Sequence, residues 1–262
     1  MFTDIHSHIL NGVDDGSESF QITKDMIRIA MEDGIDTMFA TPHFIAGVSL
    51  HKPALREKAF RFLRDYIEEN KLPIRLLPGN EIYLDEQSVN MLKKGQCLPL
   101  GSSRYVLLEF SLSDVPINLE SILENIQQNG YRPILAHPER CGEFMADPAR
   151  IEGLLRQGCL IQVNTGSVTG FYGSTVQKAS RRLFGSGWVH FIGTDAHTNR
   201  SRSPKMMAAY RTVIQWVGDE AAKRIFVDNP RLILEDKPYI YHEPAAKHVP
   251  AAGFFKMLSR RA

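Results

Sequence analysis

Histidine and acidic residues form two similar pairs near opposite ends of the sequence. His6 and His8 end a short apolar run at the N-terminus, and Asp195 and His197 follow another apolar run much later in the chain. Side chains two positions apart on an extended strand point to the same side, so each pair can present two ligands to one ion. Paired ligands at both ends of a chain favour metal binding over a role for isolated structural histidines.

Four further ligand-type residues lie where other apolar runs end: His43, Glu81, Glu109 and His137. Together with the acidic pair Asp14-Asp15, the sequence offers five such histidines and at least four carboxylates. One tetrahedral zinc takes only three or four ligands, so two or three ions are predicted. Mixed imidazole and carboxylate ligation suits Mn, Fe or Zn, and no Cys belongs to the set.

The elements that must position these residues are seven short apolar strands that alternate with helical segments. This rhythm predicts an α/β fold around a mainly parallel sheet. In an α/β barrel the carboxyl ends of all strands meet at one rim, where distant residues can converge. The predicted strands are Phe2 to His6, Thr37 to Thr41, Ile74 to Leu77 with a continuation to Glu81, Tyr105 to Phe110, Pro133 to His137, Leu160 to Asn164, and Val189 to Gly193.

Capping residues and apolar spacing define the predicted helices between the strands. Ser17 is the expected N-cap of the first helix and Gly34 ends it, while Pro53 starts the second. Further helices end near Gly130 and Gly158. The pattern continues without a linker, so residues 1–238 are predicted to form one domain, and residues 239–262 a solvated or loosely docked tail.

Composition excludes several classes of protein. The chain has 262 residues with 31 Lys+Arg against 30 Asp+Glu, so it lacks the basic excess that nucleic-acid binding requires. Three Cys make a disulfide framework improbable and fit a reducing compartment. The N-terminus shows no signal-peptide pattern and no run of apolar residues is long enough to span a membrane. A cytoplasmic protein without an integral membrane segment is therefore expected.

The constellation resembles the PHP (polymerase and histidinol phosphatase) family, and more narrowly its bacterial protein tyrosine phosphatases that act beside capsule or exopolysaccharide kinases. The resemblance covers residues 2 to about 205 in the family's order. It implies a distorted (β/α)7 TIM-like barrel. The matching segments are Asp4-Ile-His-Ser-His-Ile-Leu, Asp14-Asp-Gly, Ala40-Thr-Pro-His, Gly79-Asn-Glu-Ile-Tyr, Leu107-Leu-Glu-Phe, Ala136-His-Pro-Glu-Arg-Cys, Gln162-Val-Asn-Thr-Gly-Ser and Gly193-Thr-Asp-Ala-His.

The resemblance also implies a ligand set, with Mn the expected metal. A first ion would take His6, His8, Glu81 and Asp195. Glu81 would bridge to a second ion that is also held by Glu109 and His137. A third ion would take His43, His197 and Asp15, with Asp14 as the alternative to Asp15.

Two arginines, Arg140 and Arg202, resemble the family's substrate binders, and His137 is expected to serve catalysis as well as ligation. Divalent ions lower the pKa of bound water from about 16 to near 7, so the expected nucleophile is hydroxide and no covalent intermediate is needed. The alternative cysteine mechanism requires an Arg six positions after the Cys. That Arg is absent, because Cys97, Cys141 and Cys159 are followed there by Ser103, Asp147 and Thr165.

Two other functions remain open at this stage. One is a small-molecule phosphatase such as histidinol-phosphate phosphatase, and the other is a metal-binding regulatory module without catalysis. The resemblance implies that the substrate is a phosphotyrosine protein, namely a bacterial tyrosine autokinase. The residues leave open whether the chain forms a homo-oligomer and whether the segment Phe254 to Leu258 docks on a subunit or a membrane.

One loop segment and four histidines complete the predictions. The segment from Asn164 to Gly173 either frames the substrate rim or merely connects a strand to a helix. His190, like His51, His242 and His248, matches no family ligand and is expected to be a packing or surface residue.

Overall fold

A computed structural model describes residues 1–49, 53–113 and 115–240 of the chain. Within these residues the strands are β1 Phe2–Ser7, β2 Ile35–Ala40, β3 His43–Phe44, β4 Arg75–Pro78, β5 Glu81–Tyr83, β6 Tyr105–Glu109, β7 Arg132–Ala136, β8 Leu160–Asn164 and β9 Phe191–Gly193. They form two parallel sheets, ordered β1-β2-β4 and β3-β5-β6-β7-β8-β9.

The two sheets are parts of one curled sheet in which two of the seven predicted strands are interrupted. Strands β2 and β3 are separated only by Thr41 and Pro42, and strands β4 and β5 only by Gly79 and Asn80. The side chain of Asn80 donates to the carbonyl of Pro42 (2.8 Å) and accepts from the amide of Leu98 (3.0 Å), which holds the two breaks side by side. When β2 with β3, and β4 with β5, are each counted as one interrupted strand, the structure has the seven predicted strands. The α/β barrel class is also confirmed.

The first and last strands meet through a short stretch of pairing. Ser7 forms a parallel bridge with Ala196, and the amides of His8 and Asp195 donate to the carbonyls of Ala196 and His6, both at 2.8 Å. This pairing brings the two predicted ligand pairs together although they lie at opposite ends of the sequence.

Alternating side chains on each strand separate two apolar cores. On β6, Tyr105 and Leu107 lie in a cluster with residues from β1, β2, β7, β8 and β9, whereas Val106 and Leu108 belong to the cluster that includes the helices. The first cluster therefore fills the inside of the curled sheet. Glu109 continues the inward-facing series at the carboxyl end of β6, so alternation alone places it at the rim.

The helices cover the outside of the sheet, and one predicted cap is wrong. Ser19, not Ser17, caps α1, because the Ser19 side chain accepts from the amide of Ile22 while the Ser17 hydroxyl donates to the carbonyl of Ser19. The helices are α1 Phe20–Glu32, α2 Pro53–Glu69, α3 Ser88–Lys93, α4 Leu119–Gln128, α5 Gly142–Ala146, α6 Ala149–Arg156, α7 Thr165–Thr169, α8 Ser174–Gly185, α9 Met207–Val217, α10 Asp219–Lys223 and α11 Asn229–Leu234.

One other prediction changes at this level, and one stays untested. The predicted connection after β8 contains the short helix α7, so only the segment from Gly170 to Gly173 is a non-helical link to α8. The division into a domain of residues 1–238 and a tail of residues 239–262 stays a prediction, because residues 241–262 lie outside the described part. The same holds for His51, His242, His248 and the segment Phe254 to Leu258.

Candidate metal centre

Four predicted ligands converge where β1 and β9 end and β5 begins. The Nε2 atoms of His6 and His8 are 3.2 Å apart, and each lies 3.2 Å from the Oε2 atom of Glu81. The Oδ1 atom of Asp195 is 3.6 Å from His6 Nε2 and 3.5 Å from His8 Nε2. The structure thus brings together all four side chains that were predicted to hold the first ion.

The carboxylate of Glu81 extends this cluster towards the second predicted set. His43 Nδ1 lies 3.1 Å from Glu81 Oε2 and 2.5 Å from Glu109 Oε1. His137 Nε2 is 2.8 Å from the other Glu81 oxygen, Oε1. His43 thus groups with Glu81 and Glu109 as well as with its predicted partners, while His137 contacts this group through Glu81 alone.

The third predicted set also converges, with Asp15 rather than Asp14 turned towards it. Asp15 Oδ1 is 3.4 Å from His43 Nε2 and 3.5 Å from His197 Nε2, and His8 joins this group. Asp14 instead accepts from His8 Nδ1 (2.7 Å) and from the amide of His43 (3.0 Å). The geometry therefore favours Asp15 as a ligand and gives Asp14 the task of orienting His8.

Unusual backbone geometry places two of the ligands. His137 and Asp195 have φ angles of +37° and +52°, in the left-handed region that residues other than glycine seldom adopt. On β7 the inward-facing residue is Ala136, so simple alternation would turn His137 outward, and the left-handed turn redirects it. Such strain is found most often at functional sites.

Two glycines allow the backbone to approach the ligands closely. A Cβ atom on Gly193 would lie 2.6 Å from His6 Cβ, and one on Gly16 would lie 2.1 Å from the carbonyl oxygen of His8. Real side chains cannot come this close, so any other residue at either position would displace a histidine of the first set.

A chain of buried amide side chains fixes the direction of His6. His6 Nδ1 lies 2.9 Å from Gln162 Oε1, Gln162 Nε2 donates to Asn164 Oδ1 (2.8 Å), and Asn164 Nδ2 donates to Asp195 Oδ2 (2.7 Å). The carboxylate of Asp195 can only accept, so each side-chain amide in this series donates with its nitrogen and accepts with its oxygen. His6 must therefore donate from Nδ1 to Gln162, which turns Nε2 towards the cluster.

The sequence did not indicate that Gln162 and Asn164 orient a ligand, although both lie in a segment that carries the family resemblance. A signal was available, since two polar residues at alternate positions of an otherwise apolar buried strand face one side. Other residues without a predicted role are also buried around the site. Asp4 accepts from the amides of His6 and Thr194, and Glu139 accepts from the amide of Asn164 and the hydroxyl of Ser167.

Charge pairing outweighs burial at two of the histidines. Burial alone would lower the pKa of His8, but the carboxylates of Asp14 and Glu81 raise it to about 10. Burial also lowers the pKa of His43, but hydrogen bonds to carboxylates, that of Asp15 foremost, raise it to about 11. Both rings are therefore in the doubly protonated, positively charged form at neutral pH. A cation must displace the proton from the ring nitrogen that it binds.

The carboxylates respond in opposite directions. Burial opposes ionisation of Asp195, but neighbouring histidines, His6 foremost, lower its pKa to about 2. Burial raises the pKa of Glu109, and the negative charge of Glu81 raises it further. Two carboxylates in one buried site repel each other unless a proton or a cation lies between them.

The donor set fits divalent metal ions. Within the described residues, Glu81 Oε2 and His43 Nδ1 are buried, lie 3.1 Å apart and make no hydrogen bond of regular geometry, although charged groups surround both. A cation would satisfy both atoms. Three groups of nitrogen and oxygen donors, each with atoms within 4.8 Å of one another, share members in a way that suits neighbouring ions.

Both predicted substrate arginines lie beside these clusters and contact the same ligand. Arg140 Nη1 donates to Asp195 Oδ2 (3.0 Å), and Arg202 Nη2 lies 2.8 Å from Asp195 Oδ1. Neither guanidinium uses all of its donors in this contact, so both can also bind an oxyanion.

The sequence as a whole matches the model of a family described as capsular polysaccharide synthesis, CpsB/CapC, over residues 2–235. The chain belongs to this family. It is 33% identical to the tyrosine-protein phosphatase YwqE of Bacillus subtilis over 254 residues, which cover 96% of this chain and 99% of YwqE. It is 31% identical to the tyrosine-protein phosphatase CpsB of Streptococcus pneumoniae over 239 residues, which cover 89% of this chain and 98% of CpsB.

Solved structures agree with this assignment. The chain superimposes with a TM-score of 0.87 on a structure from work on YwqE of B. subtilis and CpsB of S. pneumoniae, described as unique metal-dependent tyrosine phosphatases, at 32% identity over 92% of this chain and 98% of the other. Histidinol phosphate phosphatase from Lactococcus lactis matches with a TM-score of 0.56 and 15% identity over 83% of this chain and 95% of the other, which shows a shared fold. The predicted resemblance is thus confirmed.

Two remaining findings concern cysteines and membranes. Cys97, Cys141 and Cys159 are all buried, and burial raises the pKa of the Cys97 and Cys159 thiols to about 12. Neither of these two thiols is therefore an activated nucleophile, and the third cysteine, Cys141, is buried as well. Among the residues that the structure describes, none of the helices combines the length and apolar character that crossing a bilayer requires.

Proposed function

We propose that this chain is a metal-dependent protein-tyrosine phosphatase that hydrolyses phosphotyrosine without a covalent intermediate. The observation that carries the proposal is the convergence of nine ligand-type side chains and two arginines at one rim of the barrel. The metal ligands proposed are His6, His8, Asp15, His43, Glu81, Glu109, His137, Asp195 and His197. They suit two or three ions, with Mn²⁺ proposed first and Fe or Zn as alternatives.

Bound ions would supply a nucleophile from water near neutral pH and would neutralise phosphate charge. The chain's own residues perform the remaining tasks. Arg140 and Arg202 bind the non-reacting phosphate oxygens, and their shared contact with Asp195 fixes their positions relative to the ligands. Charge that develops on those oxygens in the transition state is stabilised by both guanidinium groups.

Orientation of the imidazoles is the second task of the chain. Asp14 accepts from Nδ1 of His8, and Gln162 accepts from Nδ1 of His6. Each contact engages Nδ1 and turns Nε2 towards the cluster, so a cation can bind at Nε2 without reorienting either ring, once His8 has lost its Nε2 proton. His137 is held in direction by its left-handed backbone.

The relatives named tyrosine-protein phosphatase, and the family's description as capsular polysaccharide synthesis, support a substrate in that process. We propose a phosphotyrosine-bearing bacterial autokinase as the partner and the cytoplasm as the compartment. Assembly into a homo-oligomer is compatible with these proposals but is not required by the geometry of the site.

Metal analysis combined with two substrates tests the proposal. The purified protein should contain Mn, Fe or Zn by elemental analysis and should release phosphate from a phosphotyrosyl peptide when Mn²⁺ is added. Exhaustive dialysis against a chelator should abolish turnover, whereas alkylation with iodoacetamide should leave it unchanged because the cysteines are buried. Faster turnover of histidinol phosphate would identify a small-molecule phosphatase instead. Unchanged turnover after His137→Ala would indicate that this site is not the catalytic one.

A further inference from the structure

An aromatic pair, Phe171 and Tyr172, lies in the short link between α7 and α8. Gly170 and Gly173 flank the pair with φ angles of +83° and +92°, which reverse the chain on both sides. The amide of Phe171 donates to the carbonyl of Gly166 (2.8 Å), and the amide of Gly173 donates to the carbonyl of Gly170 (3.0 Å). The backbone therefore holds both rings in defined positions after β8, at the same rim as the ligands.

Tyr172 supports one of the two phosphate-binding arginines. The guanidinium carbon of Arg140 lies 4.3 Å from the centre of the Tyr172 ring, a distance at which a cation is attracted to an aromatic face. Arg140 also donates to Asp195 Oδ2. The guanidinium thus contacts a carboxylate and an aromatic ring at once, which restricts the directions in which its remaining donors can point.

The helix behind Tyr172 is adapted to this ring. A Cβ atom on Gly166 would lie 2.9 Å from the Tyr172 ring, so the ring packs directly on the backbone of α7. The ring is consequently supported by main chain, and a larger residue at position 166 would displace it.

Phe171 adds an exposed aromatic surface next to this arrangement. Its ring packs edge-on against Tyr172, with centroids 5.0 Å apart and an angle of 75° between the planes, yet 48% of the residue remains exposed. Burying this apolar surface is favourable, and a phosphotyrosine whose phosphate is bound by Arg140 brings a flat phenyl ring close to it.

We propose that Phe171 and Tyr172 form an aromatic platform that selects aryl over alkyl phosphate monoesters. Tyr172 acts as a positioning residue for Arg140, and Phe171 contacts the phenyl ring of the leaving tyrosine. The inference rests on the proposed function, since it assigns the part of the substrate beyond the phosphate. Alkyl phosphates have no ring to place on Phe171, so they gain only the contacts of the phosphate group.

The test measures KM for a phosphotyrosyl peptide and the inhibition constant of inorganic phosphate, which has no ring. Phe171→Ala should raise KM about tenfold and leave phosphate inhibition unchanged. Tyr172→Leu should weaken both, because Arg140 loses its support, whereas Tyr172→Phe should keep both near the values of the unaltered enzyme. Elemental analysis should find the same metal content in all three variants.

The chain provides a matched control in Phe62, which is 56% exposed and also packs against a second aromatic ring, that of Phe20, on helices α1 and α2. Phe62→Ala should change neither constant. A KM for Phe171→Ala within twofold of the unaltered enzyme, or a parallel loss of phosphate inhibition, would overturn the role of Phe171. Equal effects of Tyr172→Phe and Tyr172→Leu would overturn that of the Tyr172 ring.

Failure of the proposed function gives a different result. In that case the unaltered, metal-loaded protein would not hydrolyse the peptide at all. Calorimetric titration with inorganic phosphate would then still test whether Tyr172→Leu weakens the Arg140 site. Unchanged phosphate affinity in that variant would contradict the support of Arg140 by Tyr172.

Discussion

Leu160 and Gln162 lie two positions apart on β8 and face the same side of the sheet, but their surroundings are opposite. Leu160 packs in the apolar interior of the barrel, in one cluster with Ile134 and Phe191. Gln162 lies one step nearer the rim and connects His6 to Asn164. Over this short distance the sheet changes from a region built for packing to one built for ligand geometry.

The two regions differ in how they use free energy. In the interior each buried side chain stabilises the fold through lost apolar surface, and several such residues act together. At the rim, buried carboxylates and imidazoles cost free energy unless they pair with each other or with a cation. The comparison predicts that rim substitutions change metal binding and turnover, whereas interior substitutions change the free energy of unfolding.

The largest expected effect comes from Glu81, which contacts members of all the ligand groups. Glu81→Gln keeps the size of the side chain but removes the charge that lies 3.2 Å from both His6 Nε2 and His8 Nε2. Turnover should fall by about a thousandfold or more, since activation of water by the ions depends on their being held. Elemental analysis should show fewer ions per chain. A variant with full metal content and near-normal turnover would contradict this role.

Arg140 should give the next largest effect. Arg140→Lys keeps a positive charge near Asp195 but loses the planar fork and its stacking on Tyr172. We expect kcat/KM for a phosphotyrosyl peptide to fall by about a hundred- to a thousandfold. Arg28 provides the control, because its ion pair with Glu32 lies on the exposed surface of α1 and Arg28→Lys should have no effect on turnover. A loss below tenfold for Arg140→Lys would assign phosphate binding elsewhere.

Gln162 is expected to act through the metal alone. Gln162→Leu removes the acceptor for His6 Nδ1, so the affinity for Mn²⁺ should fall about ten- to a hundredfold, measured by titration calorimetry. Excess Mn²⁺ should then restore most of the turnover. Gln162→Glu keeps an oxygen towards His6 and should bind Mn²⁺ more tightly than the leucine variant. Loss of turnover that excess Mn²⁺ does not restore would argue for a structural role.

Leu160 should affect stability and leave turnover unchanged. Leu160→Ala creates a cavity in the interior cluster and should lower the free energy of unfolding by about 2–5 kcal/mol, measured by denaturant titration. Turnover per folded molecule should stay within about twofold of the unaltered protein, because Leu160 lies in the apolar cluster and not at the rim. If turnover falls as much as in Gln162→Leu, the interior and the rim are not separable.

The sequence was sufficient to predict those parts of the fold that depend on local patterns. Strand β8 was predicted at the residues where it occurs, and the apolar run of β6 differs by one residue at its end. The breaks that separate β2 from β3 and β4 from β5 were not predicted. They depend on the side chain of Asn80, which bonds to Pro42 and Leu98, and such contacts between distant residues leave no local signal.

The candidate site was predictable to a similar degree. Residue type and position at strand ends identified the nine candidate ligands and the two arginines, but not the buried amides Gln162 and Asn164 that orient them. The choice between Asp14 and Asp15 depended on the direction of two adjacent side chains, which sequence alone does not determine. The role of Tyr172 could not be predicted either, because it depends on a ring stacked against Arg140 from another strand end.

The pairing between Ser7 and Ala196 also bears on how the protein is made. A ribosome releases the N-terminal histidines first, and Asp195 and His197 emerge only after most of the chain has been synthesised. A nascent chain therefore cannot complete the first ligand group, and contacts of such long sequence separation form late in folding. Metal loading should thus follow closure of the barrel, so that the supply of ions to the finished protein, rather than to the growing chain, determines how much of it becomes active.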